Sequence, residues 1–213
     1  MAEWVVKVGG SLFDWPGLAV ALRAWLTETV GVGQPVLLVA GGGALADAVR
    51  QLDRLHALGQ EQAHWLALRV LQTTGQFLAQ LLGGLPVVAG PPCHPDAALA
   101  EWAAPSSHAW AVVDPYAFAQ ADERREGALP HTWDTTTDAI AARLAVVVGA
   151  KRLVLLKSAD WPAGCEYDWQ AASRAGFVDA QLPAVIRTAG GALRCESVNL
   201  RAWAQARCGR ASR

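Results

Sequence analysis

The chain has 213 residues, of which 53% are apolar and 17% charged, and its formal net charge is -1. A chain of this length and composition can bury the core of one α/β domain, so we expect a single domain over residues 1–213. The dispersed charge gives no basic stripe for nucleic acid, and the apolar runs fall short of the roughly 20 residues of a membrane helix. We therefore expect a cytoplasmic protein that acts on a small molecule, with no nucleic acid and no membrane as partner.

Strand-like and helix-like segments alternate along the chain. Predicted strands cover residues 4–8, 35–40, 85–89, 111–113 and 152–157. Predicted helices cover residues 16–29, 44–58, 61–82 and 138–148, and residues 91–107 read as an irregular loop. This alternation predicts an α/β fold, a mainly parallel sheet sandwiched between helices, whose ligand lies beyond the carboxyl ends of the strands.

A lysine and a glycine turn follow each other at the end of the first strand, in Lys7-Val8-Gly9-Gly10-Ser11. Glycine lets backbone N–H groups approach phosphate oxygens closely, and the following helix N-terminus offers about +0.5 of a charge. The lysine adds a full positive charge, so the segment fits a phosphoryl-transfer site. The alternative is a tight turn beside a solvated lysine.

Three glycines, Gly41, Gly42 and Gly43, repeat this arrangement after the second strand. One residue with positive φ usually suffices for a turn, so three favour contact with a ligand. The alternative is the dinucleotide pattern G-x-G-x-x-A, completed by Ala46 and followed by Glu61. That pattern normally follows the first strand of its unit, so a nicotinamide oxidoreductase remains a minor alternative.

Two later segments should reach the same edge of the sheet. Asp138 begins a predicted helix, where it can cap N–H groups or hold lysine side chains by ion pairing. Lys157 closes an apolar strand, either as a site residue beside Ser158 and Asp160 or as a lysine that extends to solvent. His64, on the helix after the glycine triplet, could face an acceptor or be a structural histidine.

Cysteine and histidine spacing does not predict a metal site. The cysteines are Cys93, Cys165, Cys195 and Cys208, and no two of them form a C-x-x-C pair. The five histidines show neither H-x-x-x-H nor H-E-x-x-H spacing.

Taken in order, these segments resemble the amino acid kinase family. The resemblance rests on Lys7-Val8-Gly9-Gly10-Ser11, Gly41-Gly42-Gly43, Thr136-Thr137-Asp138 followed by Ala-Ile-Ala, and Lys157-Ser158-Ala159-Asp160. It spans residues 1 to about 200. The resemblance implies a carbamate kinase-like three-layer α/β/α fold that binds ATP and an acceptor over the carboxyl edge of the sheet.

Within that family, the chain is most similar to the short kinases of methanofuran and methylofuran biosynthesis. The similarity lies in residues 133–138, 155–160, 64–65 and 176–179. It implies phosphorylation of 5-(aminomethyl)furan-3-ylmethyl phosphate to the diphosphate. The family's Val-Asp-Gly after the kinase strand is Ala159-Asp160-Trp161 here, so Trp161 departs from the usual nucleotide loop.

The resemblance also implies roles for individual residues. The catalytic set is Lys7, Asp138 and Lys157, in which Lys7 neutralises the transferred γ-phosphoryl and Asp138 orients Lys7. The nucleotide side, where Mg²⁺ bridges the ATP phosphates, comprises Gly9, Gly10, Ser11, Thr137, Lys157, Ser158 and Asp160. The acceptor side comprises Gly41, Gly42, Gly43, His64 and Asp179. A homo-oligomer is implied as well.

Two other functions stay open at this point. A nucleoside monophosphate kinase is compatible with the Thr136-Thr137-Asp138 segment. A non-catalytic nucleotide-binding or storage protein of the same fold is a further alternative.

Overall fold

The computed structural model describes residues 3–89 and 109–211. The predicted irregular loop at residues 91–107 lies outside the described residues. Within the described ranges the chain forms six strands and eight α-helices. These are β1 Trp4–Val8, α1 Leu18–Trp25, β2 Val36–Ala40, α2 Gly43–His56, α3 Gln60–Leu81, β3 Val87–Val88, β4 Trp110–Val113, α4 Pro115–Asp122, α5 Thr137–Val147, β5 Arg152–Lys157, α6 Trp169–Arg174, α7 Leu182–Thr188, β6 Arg194–Asn199 and α8 Leu200–Ala211. A 3-10 turn, Gly10–Leu12, follows β1, and a π turn, Leu26–Val30, extends α1.

The strands form one sheet in the order β3-β4-β2-β1-β5-β6, and every described strand pair is parallel. This confirms the predicted fold class. β1 lies near the centre, between β2 and β5, so the chain leaves β1 on one side and later returns on the other. In open parallel sheets a crevice forms at such a change of direction, beyond the carboxyl ends of the strands.

Alternate residues of the central strands enter two separate cores. Val5 and Leu155 pack on one face of the sheet, beneath α3, α5 and α7. Val6, Val8 and Leu156 pack on the other face, beneath α1 and α8. The period of two in a strand produces this division, and helices cover both faces. The protein therefore has the three layers that the sequence predicted.

The helix boundaries differ little from the predicted ones, but several elements were not predicted from the sequence. α4 is one, because the sequence predicted only a strand that ends at residue 113. Asp114 accepts N–H bonds from Tyr116 and Ala117 at 2.9 and 3.2 Å, and Pro115 occupies the first turn. A proline in that position favours a helix start, since its missing N–H would be unpaired there anyway.

The longest helix, α3, has 22 residues and packs its apolar side against both cores. Its other side carries Gln60, Glu61 and Gln76, all exposed. Among the described residues, no helix combines the length and the apolar composition that crossing a bilayer requires.

Candidate active site

Strand register brings the two sequence-predicted lysines to one face of the sheet. Lys7 on β1 pairs with Leu155 on β5, and Lys157 lies two residues further along β5. Because side chains alternate in a strand, Lys7 and Lys157 point to the face that packs against α5. Asp138, the second residue of α5, stands opposite them.

The two lysines share the Asp138 carboxylate. Lys7 Nζ forms an ion pair with Asp138 Oδ1 at 2.8 Å. Lys157 Nζ donates to Asp138 Oδ2 at 2.8 Å and to the Phe177 carbonyl oxygen at 2.6 Å. The exposed fraction is 7% for Lys7 and 3% for Asp138. A buried carboxylate therefore fixes two ammonium groups at the carboxyl edge of the sheet, which is the ion-pairing alternative that the sequence left open for Asp138.

The surroundings change the pKa values of this cluster. Burial by itself would raise the pKa of Asp138, but the charges of Lys7 and Lys157 outweigh it and hold that pKa below its ordinary value. Burial lowers the pKa of Lys157; the Asp138 charge opposes this, and the charge of Lys7 adds to it. Asp138 is thus kept ionised, whereas Lys157 gives up its proton more readily than an exposed lysine would.

The glycine turns after β1 and β2 pack directly against each other. A Cβ on Gly10 would lie 2.1 Å from the Gly43 nitrogen, and Gly43 has a φ of +54°. A Cβ on Gly41 would lie 2.4 Å from the Gly10 nitrogen. Neither distance leaves room for a side chain, so contact between the turns requires these glycines independently of any ligand. This alters the sequence argument, in which three glycines favoured a ligand.

Gly9 also has a structural role. Its N–H donates to the Leu156 carbonyl oxygen at 2.8 Å, which ties the β1 turn to β5. The expectation that Gly9 donates to a phosphate oxygen is therefore corrected, because that donor is already engaged. The neighbouring Ser11 hydroxyl lies 2.7 Å from the Ser158 hydroxyl, so the turns after β1 and β5 meet through two polar side chains.

A cavity of about 230 Å³ opens beside the turn that follows Lys7. The described residues that line it come from the glycine turns, α2, α3, the loop before α5 and α5 itself. They are Gly10, Ser11, Gly42, Gly43, Ala46, Asp47, Arg50, His64, Ala67, Leu68, Leu71, Trp133, Thr135, Thr136, Thr137 and Ile140. The cavity thus contains four of the predicted nucleotide or acceptor residues from the turns, together with His64 and Thr137. Gly41, Asp160 and Asp179 do not line it.

Sequence reasoning missed Arg50, which lines this cavity together with Asp47. Arg50 Nη1 lies 2.8 Å from Asp47 Oδ1, and its guanidinium stands 4.7 Å from the centroid of the Trp133 ring. Trp133 Nε1 in turn donates to Asp53 Oδ2 at 2.7 Å. These contacts hold a cation at the cavity wall. The i, i+3 pair of Asp47 and Arg50 on the helix after the glycine triplet was the available signal.

His64 is buried at the cavity wall and stacks on His131, with ring centroids 5.3 Å apart. Its Nδ1 lies 3.3 Å from the Thr132 carbonyl oxygen, which fits an Nδ1–H donor. Burial lowers the pKa of His64, and the nearby His131 lowers it further. His64 therefore presents a neutral ring to the cavity at physiological pH.

Asp179 has a different place from the one expected. Its Oδ2 accepts from Thr136 N, Thr136 Oγ1 and Ala139 N at 3.0, 2.8 and 2.9 Å. Its Oδ1 accepts from the N–H groups of Gln181 and Leu182, at the start of α7. Both oxygens are thus engaged in capping two helices. We correct the expected acceptor contact to a capping role that fixes the start of α5, and with it Asp138.

Asp160 lies on the exposed surface after β5 and accepts from Asn199 Nδ2 at 3.1 Å. It stands at the carboxyl edge of the sheet, on the side of β5 and β6. This position is compatible with the predicted nucleotide side and is distinct from the cavity.

Comparison with known proteins identifies the family. The model of the amino acid kinase family matches residues 3–160, which is more than half of the chain. The chain belongs to the amino acid kinase family. A nicotinamide oxidoreductase, the alternative suggested by the dinucleotide pattern at Gly41, Gly43 and Ala46, does not agree with membership of a kinase family. Contact between the two turns already explains why positions 41 and 43 are glycine.

One relative matches over a shorter stretch. The chain is 30% identical over 78 residues to the 5-(aminomethyl)furan-3-ylmethyl phosphate kinase of Methanocaldococcus jannaschii. The match covers 36% of this chain and spans only 35% of the length of that relative.

Solved structures share the fold over nearly the whole chain. Uridylate kinase from Archaeoglobus fulgidus superposes with a TM-score of 0.60 at 16% identity, covering 92% of this chain and 90% of its own. UMP kinase from Bacillus anthracis superposes with a TM-score of 0.61 at 13% identity, and the match covers 94% of this chain and 88% of that kinase. Aspartate kinase from Synechocystis superposes with a TM-score of 0.58 at 16% identity, and the match covers 92% of this chain and 38% of that kinase. At these identities the comparison shows the fold, and all three proteins are named as kinases.

Proposed function

We propose that the chain is an ATP-dependent kinase that transfers the γ-phosphoryl group to a small anionic acceptor, with 5-(aminomethyl)furan-3-ylmethyl phosphate as the acceptor to test first. The observation that carries this proposal is the buried cluster of Lys7, Asp138 and Lys157, with an open cavity at the turn that follows Lys7. The name of the Methanocaldococcus jannaschii relative supports the choice of acceptor.

The ion-pair cluster fits charge stabilisation better than a purely structural role. Two buried lysines cost desolvation energy that one carboxylate repays only in part, so such clusters contribute little to stability. Ionisable groups whose pKa values are shifted by burial and by charged neighbours concentrate at functional sites. Lys7 and Lys157, fixed by Asp138, would meet the negative charge that develops as the phosphoryl group moves.

The cavity supports a small acceptor that carries an anionic group. Its volume of about 230 Å³ is below the roughly 300–1,000 Å³ of pockets for drug-sized ligands. Arg50 supplies a cation able to bind a phosphate in a bidentate manner. His64 and Trp133 supply rings against which a small planar group could pack. Gly42 and Gly43 line the same cavity as Arg50.

The proposed reaction needs no strong base. An oxygen of the acceptor phosphate forms a bond to the γ-phosphorus of ATP, the bond from that phosphorus to the β,γ-bridging oxygen breaks, and ADP leaves with the electron pair. The acceptor oxygen is already ionised at neutral pH, so no proton has to be removed before attack. The contribution of the chain is positioning by the cavity and charge stabilisation by Lys7 and Lys157.

Mg²⁺ remains part of the proposal. Across residues 3–89 and 109–211, no group of three or more His, Cys, Asp and Glu side chains could hold a metal ion. Mg²⁺ in kinases is bound mainly through substrate phosphates and one or two carboxylates. We therefore propose that the ion reaches the site bound to the nucleotide. Bound there, Mg²⁺ would neutralise part of the phosphate charge.

A nucleoside monophosphate acceptor is the second candidate, because the structural neighbours include uridylate kinases. The experiment is ADP release with Mg-ATP against a panel of acceptors: the furan phosphate, UMP, isopentenyl phosphate, acetylglutamate and aspartate. Turnover of the furan phosphate alone supports the first proposal, and turnover of UMP alone replaces the acceptor. ATP binding without turnover on any acceptor favours the non-catalytic nucleotide-binding alternative.

We also propose that the chain is located in the cytoplasm. We further propose that it forms a homo-oligomer through α2. Leu45, Leu52 and Leu55 on α2 are 51%, 51% and 73% exposed, and their spacing places them on one helix face. Such exposed apolar patches mark interaction surfaces. Light scattering should show an oligomer that Leu52→Glu disrupts and that Val32→Glu, an exposed control outside α2, leaves intact. A monomeric wild-type chain contradicts this proposal.

A further inference from the structure

Phe177, between α6 and α7, contacts Lys157 in two ways. Its carbonyl oxygen accepts a hydrogen bond from Lys157 Nζ at 2.6 Å, and its ring centroid lies 4.9 Å from the same nitrogen. Lys157 is therefore held by Asp138 on one side and by Phe177 on another. Nothing in the proposed reaction requires Phe177 itself, so these contacts call for a separate explanation.

Trp161 contacts the Phe177 ring and itself packs against Trp169. The Trp161 ring lies 5.3 Å from Phe177 and 4.6 Å from Trp169, centroid to centroid. We call Trp161, Trp169 and Phe177 the aromatic wall. All three rings are partly buried against the core that contains Leu153 and Leu155, on the face of the sheet that Lys157 shares. The aromatic wall thus joins the loop after β5, the start of α6 and the segment before α7 around one ammonium group.

We propose that Phe177 is a positioning residue for Lys157 and that Trp161 keeps the Phe177 ring in place. Lysine is a flexible point charge with considerable rotamer freedom, so its ammonium stabilises a transition state efficiently only if it is fixed beforehand. An aromatic ring attracts a cation most strongly when the cation is desolvated, and the Lys157 side chain is only 13% exposed. The effect on turnover rests on the proposed kinase function, whereas the effect on Lys157 itself does not.

The charged groups around Lys157 define the direction in which its pKa should change when Phe177 is replaced. Asp138 on α5, Lys7 on β1 and Asp179 before α7 all act on it, and the buried Cys195 thiol on β6 stays neutral because burial raises its pKa. Burial lowers the pKa of Lys157, Asp138 opposes that change, Lys7 adds to it, and Asp179 opposes it. The Phe177 ring favours the cation, so its removal should lower the pKa of Lys157 further.

The chain is suited to a direct test, because its three lysines are Lys7, Lys151 and Lys157. Labelling lysine with ¹³C at Cε gives three signals by NMR, with the exposed Lys151 as internal reference. In the full chain, the Lys157 Hε signals should carry an upfield ring-current shift. Phe177→Leu should remove that shift and lower the Lys157 pKa, whereas Phe177→Tyr should preserve both. The Lys151 signals should not move in any variant.

Turnover provides the second readout. Phe177→Leu should lower kcat about tenfold, the size expected for loss of a desolvated cation–π contact, and raise the KM for ATP much less. Phe177→Tyr should restore kcat. Unchanged Lys157 signals and pKa in a folded Phe177→Leu variant would overturn the inference, as would a kcat equally low in Phe177→Tyr. If Phe177→Leu does not fold, Trp161→Gly decides the question: loss of the upfield shift of the Lys157 Hε signals supports the inference, and an unchanged shift overturns it. A wild-type chain without turnover would overturn the proposed function alone, since the lysine signals are independent of it.

Discussion

Lys7 Nζ on β1 lies 2.8 Å from Asp138 Oδ1 on α5, and both side chains are almost fully buried. The contact joins the central strand to the helix that covers it, at the point where the strand ends and the glycine turn begins. Its partner on the other carboxylate oxygen, Lys157, comes from the adjacent strand. The positions of all three groups therefore follow from the register of the sheet and from the start of α5.

Replacement of Asp138 by asparagine should damage both stability and turnover. It removes the carboxylate charge and leaves two buried ammonium groups without a counter-charge, which typically costs about 3–5 kcal/mol of the free energy of unfolding. We expect kcat to fall by on the order of 100-fold or more, because removing one charged transition-state contact has effects of this size. Denaturant unfolding and steady-state kinetics measure the two effects. Glu3→Gln, which breaks the exposed pair of Glu3 with Lys151, is the matched control and should change neither. Full activity of Asp138→Asn would remove Asp138 from the site.

Lys7→Ala should lower kcat far more than it raises the KM for ATP. The charge that Lys7 meets is greatest in the transition state, so its loss appears in kcat rather than in ground-state binding. Lys151→Ala removes an exposed lysine and serves as the control. If Lys7→Ala instead changes only the KM for ATP, Lys7 binds the ground state and its assignment must change.

For the buried pair of Arg143 and Asp122 we make a prediction that concerns stability alone. Arg143 Nε and Nη2 donate to Asp122 Oδ2 and Oδ1 at 2.7 and 2.9 Å, and both residues are buried. Arg143→Met leaves Asp122 as an unpaired buried charge, so the free energy of unfolding should fall by about 3–5 kcal/mol. The double variant Arg143→Met, Asp122→Leu should lose clearly less, since no charge is stranded. Equal losses in the single and double variants would show that the pair itself supplies the stability.

Stability should decline on mild acidification because of His64. Its pKa in the folded state is lowered by burial, so the unfolded chain takes up a proton first as the pH falls. The contribution of the neutral ring is complete above the unfolded pKa of about 6.5 and is lost progressively below it, down to the folded pKa. His64→Gln should therefore flatten the dependence of Tm on pH below that value. His56→Gln, an exposed histidine on α2, should leave the dependence unchanged. If Tm depends on pH in the same way in the wild type and in His64→Gln, His64 is not the group that makes stability decline on acidification.

The parts of the site that could be predicted from sequence are those governed by local rules. The apolar runs of β1 and β5 and the period of two in a strand placed Lys7 and Lys157 at one edge. The start of α5 at Thr137 placed Asp138 there as well. Each of these inferences needs only a few neighbouring residues and the topology of a parallel sheet.

The remaining parts depend on contacts between distant segments. Trp133 reaches Asp53 across 80 residues, and Asp179 caps α5 from 43 residues beyond Thr136. No periodicity or spacing indicates such pairs, so the contact that fixes Trp133 was not predicted and Asp179 was assigned to the acceptor. The glycine triplet was predictable as a turn, but the reasons for its glycines emerge only in the assembled fold: the Gly10 turn packs against Gly41 and Gly43, and a Cβ on Gly42 would meet Ala46.

Phosphorus NMR of a reaction with Mg-ATP and 5-(aminomethyl)furan-3-ylmethyl phosphate tests the central claim most directly. The proposed function predicts that the γ-phosphate signal of ATP is replaced by ADP signals and by a pair of coupled diphosphate signals on the acceptor. Asp138→Asn should suppress that exchange. Formation of ADP with free inorganic phosphate, and no diphosphate on this acceptor or on UMP, would contradict transfer to a phosphate acceptor.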